Sequence, residues 1–189
     1  MKCYKQVGGR SCKQGSVLTI VTRRVLLVPY NESLQSEFLM LNICAKNRTE
    51  MNGPHTVATA KQLFHRLMND HTLYSRAVLD SRTREYMGHI FLSDLDETPE
   101  LGYLFDKAYW GQGYASEAVG AFFNKAVKDL RLSRVKATSN VSHKASIRIL
   151  EKLGFEKQRQ YDDAFGPYFE FEFTSDEVEA ESELHGIPA

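Results

Sequence analysis

Tyr109-Trp110-Gly111-Gln112-Gly113-Tyr114-Ala115-Ser116-Glu117-Ala118 is the most informative stretch of the 189-residue chain, standing between a β-rich run and the clearest helical pattern. Glycines at 111 and 113 let the main chain turn with no Cβ in the way, so successive N–H groups at the following helix N-terminus can face an anion. The stretch lacks the Lys-Ser/Thr of a P-loop and the third glycine of a dinucleotide fingerprint. Neither a nucleoside triphosphate nor NAD is therefore the natural ligand, whereas a pyrophosphate still fits. Taken alone, two glycines also suit a tight strand-to-helix turn that needs them for geometry only.

Downstream, Ala115, Ala118, Val119, Phe122, Ala126, Val127 and Leu130 form one apolar helical stripe, with Glu117, Asn124, Lys125 and Lys128 outside it. Residues 135–139 read as a strand and 144–153 as a helix stopped by Gly154. Residues 155–159 and 168–173 read as two further strands. Glu170 and Glu172 alternate with Phe169, Phe171 and Phe173, as on a half-buried strand. Upstream, 100–105 continues a sheet begun by a hairpin of 74–79 and 86–92 around the polar run 80–84. Two amphipathic helices follow the capping candidates Asn31 and Thr56, and 17–28 reads as one opening strand ended by Pro29. The order β-α-α-β-β-β-α-β-α-β-β predicts an α/β (α+β) fold, a mixed sheet of about seven strands with four helices on both faces.

The ends differ in charge from the middle. Residues 1–16 carry four Lys/Arg, three glycines and no acid, and are expected to be a flexible basic arm. Residues 175–189 hold Asp176, Glu177, Glu179, Glu181 and Glu183 and read as an acidic tail, leaving one domain over 17–174. In total 24 Lys+Arg balance 24 Asp+Glu, so electrostatic coating of nucleic acid or anionic lipid is not expected. The longest apolar runs, 25–28 and 38–41, fall far short of the roughly 20 residues that cross a bilayer, and no signal-like block follows Lys2 and Lys5. A cytoplasmic protein is expected. Cys3, Cys12 and Cys44 are odd in number and form no C-x-x-C pair, which argues for reduced thiols and against a disulfide framework or a zinc site.

Several motifs, in order, resemble the GNAT acetyltransferase superfamily, and within it the ribosomal-protein N-terminal acetyltransferase branch. Residues 110–115 are similar to the Q/R-x-x-G-x-G/A acetyl-CoA motif, with Trp110 in its first position and Ala115-Ser116-Glu117-Ala118 as the branch's continuation. Thr22-Arg23-Arg24-Val25-Leu26-Leu27-Val28-Pro29 resembles the opening T-x-R-L-x-L-R-P strand, with Val28 replacing the usual basic residue. Glu100-Leu101-Gly102-Tyr103 resembles the fourth strand, and 146–155, containing Leu150-Glu151-Lys152-Leu153-Gly154-Phe155, the N-x-x-S…E-K-L-G-F segment.

The resemblance implies a fold whose fourth and fifth strands splay apart to admit acetyl-CoA. The pyrophosphate would lie on the amides of Gly111, Gln112, Gly113, Tyr114, Ala115 and Ser116 beside Trp110, and the pantetheine arm along Leu101, Gly102, Tyr103, Leu104 and Phe105. His143 stands where the family's pantetheine-binding Asn is usual, so Asn140 or His143 itself would serve. Alternatively Asn140 or Ser142 simply caps the helix. Lys144 and Arg148 are candidates for the 3′-phosphate. Leu150 occupies the place of the family's acidic tyrosine, which leaves Ser146 as the implied proton donor to the thiolate; the competing reading bonds Ser146 to a carbonyl one turn back. Asp162 and Glu100 are the candidate bases, or plain surface charges. An α-amine near pKa 7.7–8.0 is about a quarter to two fifths neutral at pH 7.5 and a lysine only about 0.1%, so the lack of a strong base mildly favours α-amines.

The resulting expectation is direct acetyl transfer from acetyl-CoA to an amine, most simply the N-terminal amine of a protein or peptide, by a monomer or homodimer. A small amine such as a polyamine, amino sugar or antibiotic, or a non-catalytic acyl-CoA-binding role, are the alternatives. No motif links Cys44 to a histidine, which disfavours an acyl-enzyme.

Overall fold

The computed structural model describes residues 18–175. The basic arm, Cys3, Cys12 and residues 176–189 of the acidic tail lie outside the described residues. The elements run β1 (Ile20–Val21), β2 (Val25–Val28), α1 (Gln35–Ile43), α2 (Val57–Asn69), β3 (Tyr74–Asp80), β4 (Tyr86–Ser93), β5 (Glu100–Phe105), α3 (Tyr114–Leu130), β6 (Arg134–Asn140), α4 (Lys144–Lys152), β7 (Glu156–Asp163) and β8 (Gly166–Thr174). They build an eight-stranded sheet in the order β1-β2-β3-β4-β5-β6-β8-β7, antiparallel except between β5 and β6.

Eight strands replace the seven expected because the opening run is a hairpin. Ile20 pairs with Leu27 and Val21 with Leu26, and the turn closes where the Thr22 N–H donates to the Val25 carbonyl at 3.0 Å. The fourth and fifth strands of the family pattern are therefore β5 and β6 here. Of the two predicted caps, Thr56 forms on α2, its Oγ1 accepting from the Thr59 N–H at 3.2 Å, whereas Asn31 caps a short 3-10 turn ahead of α1, its Oδ1 accepting from the Ser33 N–H at 3.0 Å, and α1 itself starts after Leu34 with no side-chain cap bond. Gly154, with φ of +87°, follows α4 in the left-handed conformation that ends a helix.

Side chains alternate across β4, and each face receives a helical layer. His89 meets Phe38 of α1 edge to face at 5.1 Å. Ile90 and Leu92 join the opposite core, in which Phe122 of α3 stacks on Tyr74 at 5.3 Å and Phe123 packs between Phe155 and Phe173 at 5.0 and 4.9 Å. The register transmits this division to β5. Tyr103 pairs with Ile90, and so points towards α3 and α4, while Leu104 pairs with His89 and points towards α1 and α2.

One irregularity in the sheet positions the site. β5 and β6 share a single register pair, Glu100 with Lys136, and then diverge. From residue 101 onward β5 is bonded to β4 alone, so its other edge faces open space.

Candidate active site

The divergence of β5 and β6 opens a cavity of about 850 Å³ whose walls include Glu100, Leu101, Tyr103, Leu104 and Phe105 of β5, Trp110, Gly111, Gly113, Ala115 and Ser116 of the glycine bend, and Asn140, His143, Ser146 and Arg148. At the bend Gly111 and Gly113 have φ of +71° and +79°, in the left-handed region that glycine enters without steric cost. Gly113 is the N-cap of α3, and among the described residues the main-chain N–H groups of residues 111–116 donate no hydrogen bond; the first to do so is Glu117, to the Gly113 carbonyl at 3.1 Å. A run of unpaired donors at the positive end of a 17-residue helix stabilises an anion.

The bend is fastened from behind by the turn of the β1–β2 hairpin. Glu117 accepts from Thr22 Oγ1 at 2.7 Å, from the Arg24 N–H at 2.9 Å and from Arg24 Nε at 2.7 Å. Arg24 Nη1 donates to the Gln112 carbonyl at 3.0 Å, and its guanidinium lies 4.4 Å over the Tyr114 ring. Gln112 and Tyr114 therefore belong to this support and do not line the cavity, although their N–H groups are part of the bend. Partial burial pushes the Glu117 carboxyl up, but the bonds from Thr22 and Arg24 prevail and hold it below its ordinary value of 4.5. A depressed carboxyl adds stability that is present above its unfolded pKa and lost as pH falls through the folded one. Glu117→Gln is thus expected to lower Tm at pH 7 and to flatten the decline in Tm below pH about 4.5, a difference that thermal unfolding at pH 7 and pH 3.5 would reveal.

Ser146 on α4 is buried, and its Oγ lies 2.9 Å from the Tyr103 hydroxyl. Burial pushes the Tyr103 phenol up to about 12, against a smaller opposing effect of the Ser146 bond, so the phenol stays protonated at neutral pH. Ser146 Oγ makes no bond to the carbonyl one turn back. Sequence reasoning credited Tyr103 with its backbone only. Two side chains 43 residues apart leave no local signal, although a tyrosine in register with Ile90 was bound to face α4.

Near the cavity mouth His143 stacks on Trp110 at 6.0 Å, its pKa lowered by burial, against an opposing influence of Glu50. His143 is also the N-cap residue of α4 and makes no side-chain cap bond, so neither Asn140 nor Ser142 caps that helix. Instead Asn140 Nδ2 donates to the Glu50 carbonyl at 3.2 Å, tying the α1–α2 loop to β6. Of the two candidate bases, Glu100 is on the cavity wall and accepts from Thr138 at 3.2 Å. Asp162 is exposed on β7 and is not on that wall, whereas its neighbour Asp163 is. Arg148 lines the cavity and Lys144 does not. Cys44, a free thiol, lines neither this cavity nor the next.

A second cavity, about 390 Å³, adjoins the first through walls they share at Arg48, Met51, Phe91, Ser93 and Leu104, and extends under α1 and α2. Phe91 reaches that position because Gly102 has no side chain: a Cβ there would come within 2.3 Å of the ring.

The model of the "Acetyltransferase (GNAT) domain" family matches residues 24–156 of the chain. The chain belongs to that family. Acetyl-CoA is the family's acyl donor, and the unpaired amides of the bend, the glycines without Cβ and the splay beside them fit its diphosphate and arm. The chain is 33% identical over 79 residues to the uncharacterized protein YkkB of Bacillus subtilis (strain 168), a match covering 40% of this chain and 46% of that protein, less than half of its length. It is 28% identical over 123 residues to the uncharacterized N-acetyltransferase p20 of Bacillus licheniformis, covering 60% of this chain and 69% of that one. Among solved structures it superposes on ribosomal-protein-S5-alanine acetyltransferase of Vibrio fischeri with a TM-score of 0.72 at 17% identity, covering 84% of this chain and 97% of that one. The same fold is found in spermidine N-acetyltransferase of Vibrio cholerae in complex with CoA and spermine, with a TM-score of 0.71 at 12% identity, covering 81% and 96%. At such identities the two structures report the fold. Among the described residues no helix is long and apolar enough to cross a membrane.

Proposed function

We propose that the protein is an acetyl-CoA-dependent N-acetyltransferase that transfers the acetyl group directly to an N-terminal α-amine of a protein or peptide. The observation that carries this reading is the set of unpaired amides at residues 111–116, opening on a cavity that runs along the free edge of β5 to the Ser146–Tyr103 pair.

The chain's own residues divide the work as follows. The amides of 111–116 hold the diphosphate, and Trp110 and His143 cover the arm beside Asn140. A main-chain N–H of 101–105 polarises the thioester carbonyl. As the amine nitrogen bonds to the carbonyl carbon and the carbon–sulfur bond breaks, Ser146 Oγ–H protonates the departing thiolate and regains its proton from the Tyr103 hydroxyl 2.9 Å away, which takes one in turn from water in the cavity, so that both hydroxyls end protonated. The proton lost by the amine leaves through Glu100 or water. A strong base is unnecessary for an α-amine, which is already partly neutral near pH 7.5.

Support for a peptide acceptor comes from the fold shared with a ribosomal-protein-S5-alanine acetyltransferase; the fold shared with a spermidine N-acetyltransferase supports a polyamine. Thiol release from acetyl-CoA, followed with short peptides and with spermidine, separates the two. Faster release with peptides, together with mass shifts on their α-amines, is expected. Release with spermidine alone would favour the small-amine reading, and binding of acetyl-CoA with no release for any acceptor would leave a non-catalytic module.

A further inference from the structure

Arg48 is a buried cation without a counter-ion. Its residue is 8% exposed, and among the described residues no carboxylate oxygen comes within 4.0 Å of it. Burial alone lowers its pKa, with no acid acting in the opposite direction. Burying an unpaired guanidinium costs several kcal/mol, so it calls for a partner.

The residue is nonetheless rigidly placed. Nε donates to the Gly53 carbonyl at 2.5 Å and Nη1 to Asn42 Oδ1 at 3.2 Å, while Asn42 is itself oriented by the bond from its Nδ2 to the Phe38 carbonyl at 2.9 Å. The loop bearing Arg48 is pinned again by Asn47, which donates to Asp106 at 3.1 Å and accepts from the Lys107 N–H at 3.0 Å. Nη2 has no acceptor among the described residues, and Arg48 forms part of the wall of both cavities.

The surroundings suit an anion of one charge. His89 and His55 also line the second cavity; burial and Arg48 lower both pKa values, that of His89 to about 3, so both are neutral at pH 7. His89 Nδ1 is buried with no hydrogen-bond partner. The other charged groups facing this space are Arg66, paired with Asp70 at 3.5 Å, and Asp94, whose carboxylate accepts from Ser93 at 2.8 Å. The diphosphate bend is elsewhere, since none of residues 111–116 lines this cavity.

We propose that Arg48, with His89 beside it, is an acceptor subsite that binds a carboxylate carried close to the reacting amine. The acceptor is then an acidic peptide N-terminus or a free amino acid, not a polyamine, whose positive charge Arg48 repels. The inference deepens the proposed N-acetyltransferase reading and depends on the second cavity being the acceptor end of the cleft.

The test compares kcat/KM for paired acceptors, Ser-Asp-Ala amide against Ser-Asn-Ala amide, with free glutamate and spermidine alongside, after calorimetry has established that the enzyme binds acetyl-CoA. A charge-assisted bond predicts a preference of about ten- to a hundredfold for the acidic peptide, expressed mainly in KM. Arg48→Gln is expected to bring that ratio to within about twofold of one, and Arg48→Lys to retain part of it. Because both peptides report on the same folded enzyme, any loss of folded protein cancels in the ratio. A wild-type ratio near one, a ratio that survives Arg48→Gln, or spermidine outrunning every other acceptor would overturn the subsite. If free glutamate outruns both peptides and depends on Arg48, the subsite stands and the peptide acceptor falls. Acetyl-CoA binding with no thiol release for any acceptor removes the enzymatic reading itself.

Discussion

Gly113→Val is expected to weaken acetyl-CoA binding in isothermal calorimetry, raising Kd by about a hundredfold or more. Two effects combine. Gly113 has φ of +79°, which a β-branched residue adopts only under strain. A Cβ placed there lies 3.4 Å from Arg24 Nη2, so the methyl groups of valine press on a guanidinium already fixed to Glu117 and the Gln112 carbonyl. Relieving either effect turns the amides of the bend away from a common focus, and each lost charge-assisted bond is worth about 1.5–3 kcal/mol, so losing two gives the stated factor. Gly111→Ala is the control. Nothing lies within 4 Å of a Cβ at 111, where φ is +71°, so it bears backbone strain without a collision and should weaken binding far less. Retained Tm with lost affinity would separate the effect from unfolding.

Ser146→Ala should lower kcat about a hundredfold while leaving the Kd for acetyl-CoA nearly unchanged, because removal of a general acid typically costs 10² or more in turnover. Tyr103→Phe acts on the same proton path and should cost about tenfold. As the two hydroxyls are 2.9 Å apart, their losses should not add: the double variant is expected to be no slower than Ser146→Ala. Equal losses in kcat and in acetyl-CoA affinity for Ser146→Ala would make Ser146 a binding group, and fully additive losses would dissolve the pair. Single-turnover measurements at saturating acetyl-CoA distinguish these outcomes.

The helices were the most legible part of the chain, since their signals are local. The apolar stripe of α3, the Thr56 cap of α2 and the Gly154 stop of α4 all lie within a few turns of what they determine. The opening hairpin was misread as one strand because Thr22, Arg23 and Arg24 include no glycine, proline or asparagine to mark a turn. That turn is held by a carboxylate 93 to 95 residues away, on Glu117. The glycine bend was visible because its geometry requires glycine. The Tyr103–Ser146 contact and the cavity under α1 and α2 were not, because both depend on strand register and on how a long loop folds back. Arg48 shows the difficulty most clearly. An arginine in a polar loop reads as a surface charge, and its burial appears only once Asn42, Asn47 and Asn140 have drawn that loop onto the sheet.

A crystal structure of the protein with coenzyme A tests the central claim most directly. The proposal predicts diphosphate oxygens within about 3.2 Å of main-chain nitrogens among residues 111–116, with the pantetheine arm between β5 and β6 and its sulfur near Ser146. Coenzyme A bound elsewhere, or a diphosphate held by side chains with those nitrogens left bare, would contradict it.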